Sequence, residues 1–154
     1  MRQNLSSDLA LVFLRLCGLG LALAHGYGKV VALAAGDGGR FIAGVESLGF
    51  PLPGLFAWAA ALAEFLGGLC VALGLGTRVA AALAGFTMFV AAFLRHHALQ
   101  HLLVAVGAMR ASEETVRSWG NPELALLYLV VFGTLVLTGG GRFSLDHLLP
   151  GRRR

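Results

Sequence analysis

Residues Gly54 to Leu75 read GLFAWAAALAEFLGGLCVALGL, an apolar run interrupted by one charge, Glu64. A helix rising about 1.5 Å per residue needs about 20 such residues to cross the hydrocarbon core of a bilayer. Pro51 and Pro53 precede the run, and Gly74 and Gly76 close it. It is therefore expected to span a membrane. Three further runs read the same way. The first covers about 9–27, behind the capping-type Ser6-Ser7-Asp8, and the third about 79–99. The fourth opens at Asn121-Pro122-Glu123, an N-cap with proline in the first turn, covers 123–138 and ends at Gly139-Gly140-Gly141. None shows the two-residue alternation of a barrel strand, and lipid admits only helices or closed barrels. Residues 1–154 are expected to form one all-α domain, a polytopic membrane protein with four transmembrane helices in a bundle.

Composition agrees. Hydrophobic residues make up 57% and charged residues 13%, with a mean hydropathy of +0.78. Soluble domains carry about 25% charge. The net charge of +4 is not gathered into a basic-aromatic stripe, so nucleic acid is not an expected partner. Arg152 to Arg154 read as an anchor at the membrane surface. Cys17 and Cys70 lie in apolar runs without a C-x-x-C, and read as small buried side chains. Ala22-Leu23-Ala24 resembles a signal cleavage site, but Arg15 within the apolar run argues against a cleaved leader.

Four spans place both termini on one side. That side carries Arg2, Arg78, Arg142 and Arg152 to Arg154, against Lys29, Arg40, Arg95, Arg110 and Arg117 opposite. The basic turn Gly76-Thr77-Arg78 favours cytoplasmic termini. Between the first two spans, Phe41, Ile42, Val45 and Leu48 share one helical face, which predicts a short helix at the interface. Residues 100–122, with Arg110, Glu113, Glu114 and Arg117, are expected to meet water.

Ionisable groups in lipid are costly and face the bundle interior, with partners. In the first span Leu11, Arg15, Gly18, Ala22, His25 and Lys29 recur in steps of four and three, so they share a face. In the second, small residues from Ala57 to Gly68 surround Glu64 and let helix backbones approach. Counted from Asp8, Arg15 lies about 10 Å deep, and counted from Gly74, Glu64 lies about 15 Å deep. Arginine's reach covers the difference. A buried Arg15–Glu64 ion pair is expected, structural or functional.

A second set gathers at the far leaflet: His25 and Lys29 end the first span, His96, His97 and His101 end the third, and Glu123 opens the fourth. His97 and His101 stand one turn apart. Imidazoles so spaced suit a metal, or a quinone head group that exchanges protons, or no chemistry at all. Nothing resembles H-E-x-x-H, so no metal ligand is assigned.

The ordered motifs Leu14-Arg15-Leu16-Cys17-Gly18, His25-Gly26-Tyr27-Gly28-Lys29, Leu48-Gly49-Phe50-Pro51, Glu64-Phe65-Leu66-Gly67-Gly68 and Gly74-Leu75-Gly76-Thr77-Arg78 resemble those of the DoxX family. Glu123 to Tyr128 and Gly139 to Asp146 extend the resemblance over most of the chain. It implies a small four-helix protein of a bacterial inner membrane, tied to respiratory or sulfur redox systems. The name-giving members resemble a subunit of a thiosulfate:quinone oxidoreductase associated with a terminal quinol oxidase. Arg15, His25, Lys29, Glu64 and Glu123 match the family's polar positions. Gly140 stands where proline is frequent, and the segment from His96 to His101 is richer in histidine than the family pattern.

Two functional expectations follow. In the first, the chain is a redox subunit that holds a quinone among His25, Lys29, His97, His101 and Glu123, with electrons supplied by another subunit. The sequence has no G-x-G-x-x-G after a strand, no C-x-x-C-H and no cluster-binding cysteine set. In the second, it is a non-catalytic scaffold or assembly subunit of a larger membrane complex, with a homo-oligomer also compatible. A solute pathway past Arg15 and Glu64 ranks last, because four helices enclose little lumen.

Overall fold

A computed structural model describes residues 5–149; Arg2 and Arg152 to Arg154, which entered the charge argument, lie outside the described residues. The described residues are 79% helical, with no strand among them. Helix α1 (Leu5–Leu21) runs through a π turn (Ala22–Gly26) into α2 (Tyr27–Ala34). Then follow α3 (Gly39–Ser47), α4 (Pro53–Leu73) and α5 (Thr77–Phe89), which ends in a second π turn (Val90–Arg95). After it come α6 (Ala98–Ala105), α7 (Glu113–Trp119), α8 (Glu123–Thr138) and the single turn α9 (Leu145–Leu148).

Among the described residues, three helical stretches are long and apolar enough to cross a membrane: Leu5–Ala34, Pro53–Leu73 and Thr77–Arg95. The stretch Glu123–Thr138 meets that test only together with Glu113–Trp119, from which it is bent by 44°. At 16 residues α8 is about 24 Å long, short of the about 30 Å core. The first span is thus longer than its apolar run suggested, because charge at Asp8 and Lys29 did not end the helix. The third is shorter. It stops at Arg95, and His97 takes a left-handed backbone (φ 51°) to begin α6. The segment after the third span is mostly helical, in α6 and α7. The short helix expected before the second span is present as α3.

Helices α1, α4, α5 and α8 share one core, with Leu21, Val71, Ala84, Met88, Phe132 and Leu135 buried in it. Lipid tails are as apolar as leucine, so close packing of small residues has to hold such helices together. A β-carbon on Gly18 would lie 2.6 Å from the Gly68 carbonyl oxygen, so α1 and α4 touch backbone to backbone. Many other large apolar side chains point outward. Phe13, Val130 and Leu137 are each more than two-thirds exposed, a surface suited to lipid.

One end of the molecule gathers three chain segments. Asp146 accepts hydrogen bonds from the Gly76 and Thr77 amides and the Thr77 hydroxyl, at 2.7, 2.8 and 2.8 Å. The Asp146 amide in turn donates to the Gly74 carbonyl. Asp8, near the start of α1, accepts from the Arg142 amide. The start of α1, the α4–α5 turn and the segment after α8 therefore stand at one level.

Candidate functional site: an aromatic cavity beside a buried ion pair

The first π turn determines what the first helix presents to α4. A π turn holds an extra residue, so the inward face that runs through Arg15, Gly18 and Leu21 continues at Gly26 and not at His25. Gly26 is buried, and a β-carbon there would stand 2.5 Å from the Phe65 amide nitrogen. With the backbones this close, Lys29, about one turn on, reaches Glu64. Its Nζ donates to Oε1 at 2.7 Å and to Oε2 at 2.6 Å.

This corrects the expected Arg15–Glu64 pair. Gly74 packs against the Arg15 guanidinium and Gly26 against Glu64, so Glu64 lies at the height of Gly26. Eleven residues, about 16 Å of helix, separate that height from Arg15. The depth count placed Gly74 level with Asp8, whereas the antiparallel packing places it level with Arg15. Arg15 turns toward the near end, where Nη2 donates to the Phe143 carbonyl at 2.7 Å. Arg15 and Asp8 are both buried there, among the residues that tie the three chain segments together.

Glu64 is 3% exposed, while the Lys29 side chain keeps 31% of its surface. A carboxylate that deep needs a partner, and one ammonium group engages both its oxygens. The Phe41 ring lies 4.9 Å from the same Nζ, so its π face adds to the stabilisation of the cation. Phe41 comes from α3. The amphipathic pattern that predicted α3 packs it on the protein's own α2 and α4, through Val45, Leu33, Ala57 and Ala61.

The pair lies in the wall of a cavity of about 420 Å³. Phe41, Phe50, Phe56 and Phe86 supply aromatic surface, with Phe50 and Phe56 in tilted contact at 5.0 Å. Arg95 and His96 also line it, placed by the second π turn and the break that follows. His96 Nδ1 donates to the Trp119 carbonyl at 3.3 Å. In the neutral ring this leaves Nε2 as the acceptor.

The other far-leaflet residues do not join this cavity. His25 is exposed and meets Tyr128 edge to face at 6.3 Å. His97 and His101 do share a face, and both rings pack on Trp119, at 5.8 and 5.4 Å. His101 Nε2 donates to the Gly120 carbonyl at 2.9 Å. Glu123 is exposed, bonded to Asn121, and shares a shallow cleft with His101 but not with Lys29. The expected cluster is therefore three separate groups. Among the described residues, no three His, Cys, Asp or Glu side chains are grouped to hold a metal. Sequence reasoning assigned Phe41 and Arg95 no part in a site. The apolar face of α3 was the available signal for Phe41, while the two π turns left none.

The helices, the lipid-suited surface and the embedded ion pair define an integral membrane protein. The chain belongs to the DoxX family, whose family model matches residues 10–97. The match takes in Arg15, His25, Lys29, Glu64 and the second π turn, and ends before His101, Glu123 and the Gly139–Asp146 segment. Comparisons with curated proteins and with solved structures gave no match.

Proposed function

We propose that this chain is an integral subunit of a respiratory or sulfur-linked redox system in a bacterial inner membrane, holding a quinone head group in the cavity beside Lys29 and Glu64. The observation that carries the reading is a buried ion pair in the wall of a largely apolar cavity that four phenylalanines help to line. Its volume falls in the about 300–1,000 Å³ range of small-molecule pockets. Flat phenylalanine faces suit a planar ring, Lys29 and Arg95 carry N–H groups that can donate to quinone oxygens, and His96 Nε2 can accept from the hydroxyl of the reduced quinol. When bound, a quinone supplies two-electron, two-proton redox chemistry. Lys29 has one ammonium proton beyond the two engaged by Glu64, and that proton is the one left for a ligand in the cavity that Lys29 lines. Glu64 holds that ammonium in place, and His96 Nε2 is the ring nitrogen left to accept, since Nδ1 is engaged at the Trp119 carbonyl. Of the five residues expected to hold the ligand, Lys29 remains. Electrons come from a partner subunit. In the same reading all four core helices cross the membrane, α3 rests at the far interface and both termini are cytoplasmic.

The test is extraction of bound lipids from purified protein. Wild type is expected to retain quinone. Lys29→Met combined with Glu64→Leu removes both charges together, which buried pairs tolerate. This double variant should lower retention about tenfold or more, since a charged hydrogen bond contributes about 1.5–3 kcal/mol. Wild type without quinone, or a well-folded double variant with undiminished quinone, would overturn the reading and leave the scaffold alternative.

A further inference from the structure

We infer that the cavity beside Lys29 is the head end of a longer site for a single-tailed isoprenoid quinone, whose tail lies in the groove between α4 and α5. For its head group this rests on the reading just given. A groove of about 540 Å³ follows the α4–α5 seam, and Ala59, Ala63 and Leu83 line both it and the cavity. The two adjoin at these three residues. From Ala59 to Cys70 the groove covers about 16 Å of α4, roughly half the thickness of the hydrocarbon core.

Polarity changes along it. Lys29, Glu64 and Arg95 line the cavity, whereas no charged side chain lines the groove. The groove exists because its floor is built from small residues. A β-carbon at Gly67 would stand 3.5 Å from the Ala80 carbonyl oxygen, so α4 and α5 nearly touch there. Leu66 and Leu83 stand outward on either side, both exposed. Leu62, Leu66, Val79 and Leu83 line the groove and offer dispersion contacts to a hydrocarbon chain. A tail that continues from a head group beside Lys29 would enter this groove past Ala59 and Ala63 as a single chain.

The experiment uses the full chain in liposomes, with an isoprenoid quinone that carries a diazirine near its tail end. A diazirine fatty acid of equal length is the second arm. Irradiation is expected to label α4 between Leu66 and Leu73, or α5 between Val79 and Leu83. Leu62→Trp, and separately Cys70→Leu, both of which line the groove and not the cavity, should cut that label about fivefold while leaving binding of a tailless quinone unchanged. Lys29→Met with Glu64→Leu should remove both. Label spread over all outward faces, with tailless quinone still bound through Lys29, overturns the tail inference and spares the head-group reading. Groove label from the fatty acid equal to that from the quinone, and indifferent to Lys29, shows that ordinary lipid fills the groove and overturns both.

Discussion

Lys29 and Glu64 depend on each other unequally. Glu64 has almost no access to solvent, while Lys29 keeps about a third of its side-chain surface. Removing the lysine strands a buried carboxylate, whereas removing the glutamate leaves an ammonium that still reaches a polar environment. Lys29→Met alone is therefore expected to destabilise the protein by about 3 kcal/mol. Glu64→Gln should cost less, and the double Lys29→Met, Glu64→Leu variant should melt near wild type. Thermal unfolding in detergent, followed by circular dichroism, checks the order of the three. A double variant as unstable as Lys29→Met alone would show that the charges do more than neutralise one another. Both residues stand out in the sequence as charges inside apolar runs. Their pairing does not, because it turns on one extra residue in a π turn.

At the scale of the element, the N-terminus of α5 is capped by a residue sixty-nine positions further along the chain. Gly76 precedes α5 with φ 56°, and no side chain of its own turn caps the helix. The Asp146 carboxylate bonds the free amides and meets the positive end of the helix dipole. Asp146→Ala is expected to cost about 1–2 kcal/mol, the range for losing a cap. Hydrogen exchange at the Gly76 and Thr77 amides should accelerate, while protection of α4 near Glu64 stays unchanged. Unaltered exchange at those two amides would refute the capping role. The motifs that contain Gly76 and Asp146 are visible in the sequence as separate segments. Their meeting is a tertiary event.

For the whole molecule, hydrogen bonds bring the start of α1, the α4–α5 turn and the segment after α8 to one end, and the proposed four crossings would put that end on one side of the membrane. With Cys17 and Cys70 replaced by alanine, single cysteines at Asp37 and Ser118 should react with an impermeant maleimide on one side of the membrane. Cysteines at Arg78 and His147 should react on the other. Labelling of Ser118 and His147 from the same side would remove α8 from the set of spans. By itself the sequence determined the helical class, the apolar stretches, the short helix α3 and which charges lie inside them, because burial in lipid leaves a strong compositional mark. Only the tertiary structure decided which charges meet. Helix-face arithmetic assumes an unbroken 3.6-residue period and a known level for each helix end. The π turns break that period at His25 and Arg95, and the Gly18–Gly68 and Gly26–Phe65 contacts set the level at which α1 and α4 dock. That combination turned His25 outward, moved Arg15 away from Glu64 and left Lys29 as the partner beside the cavity.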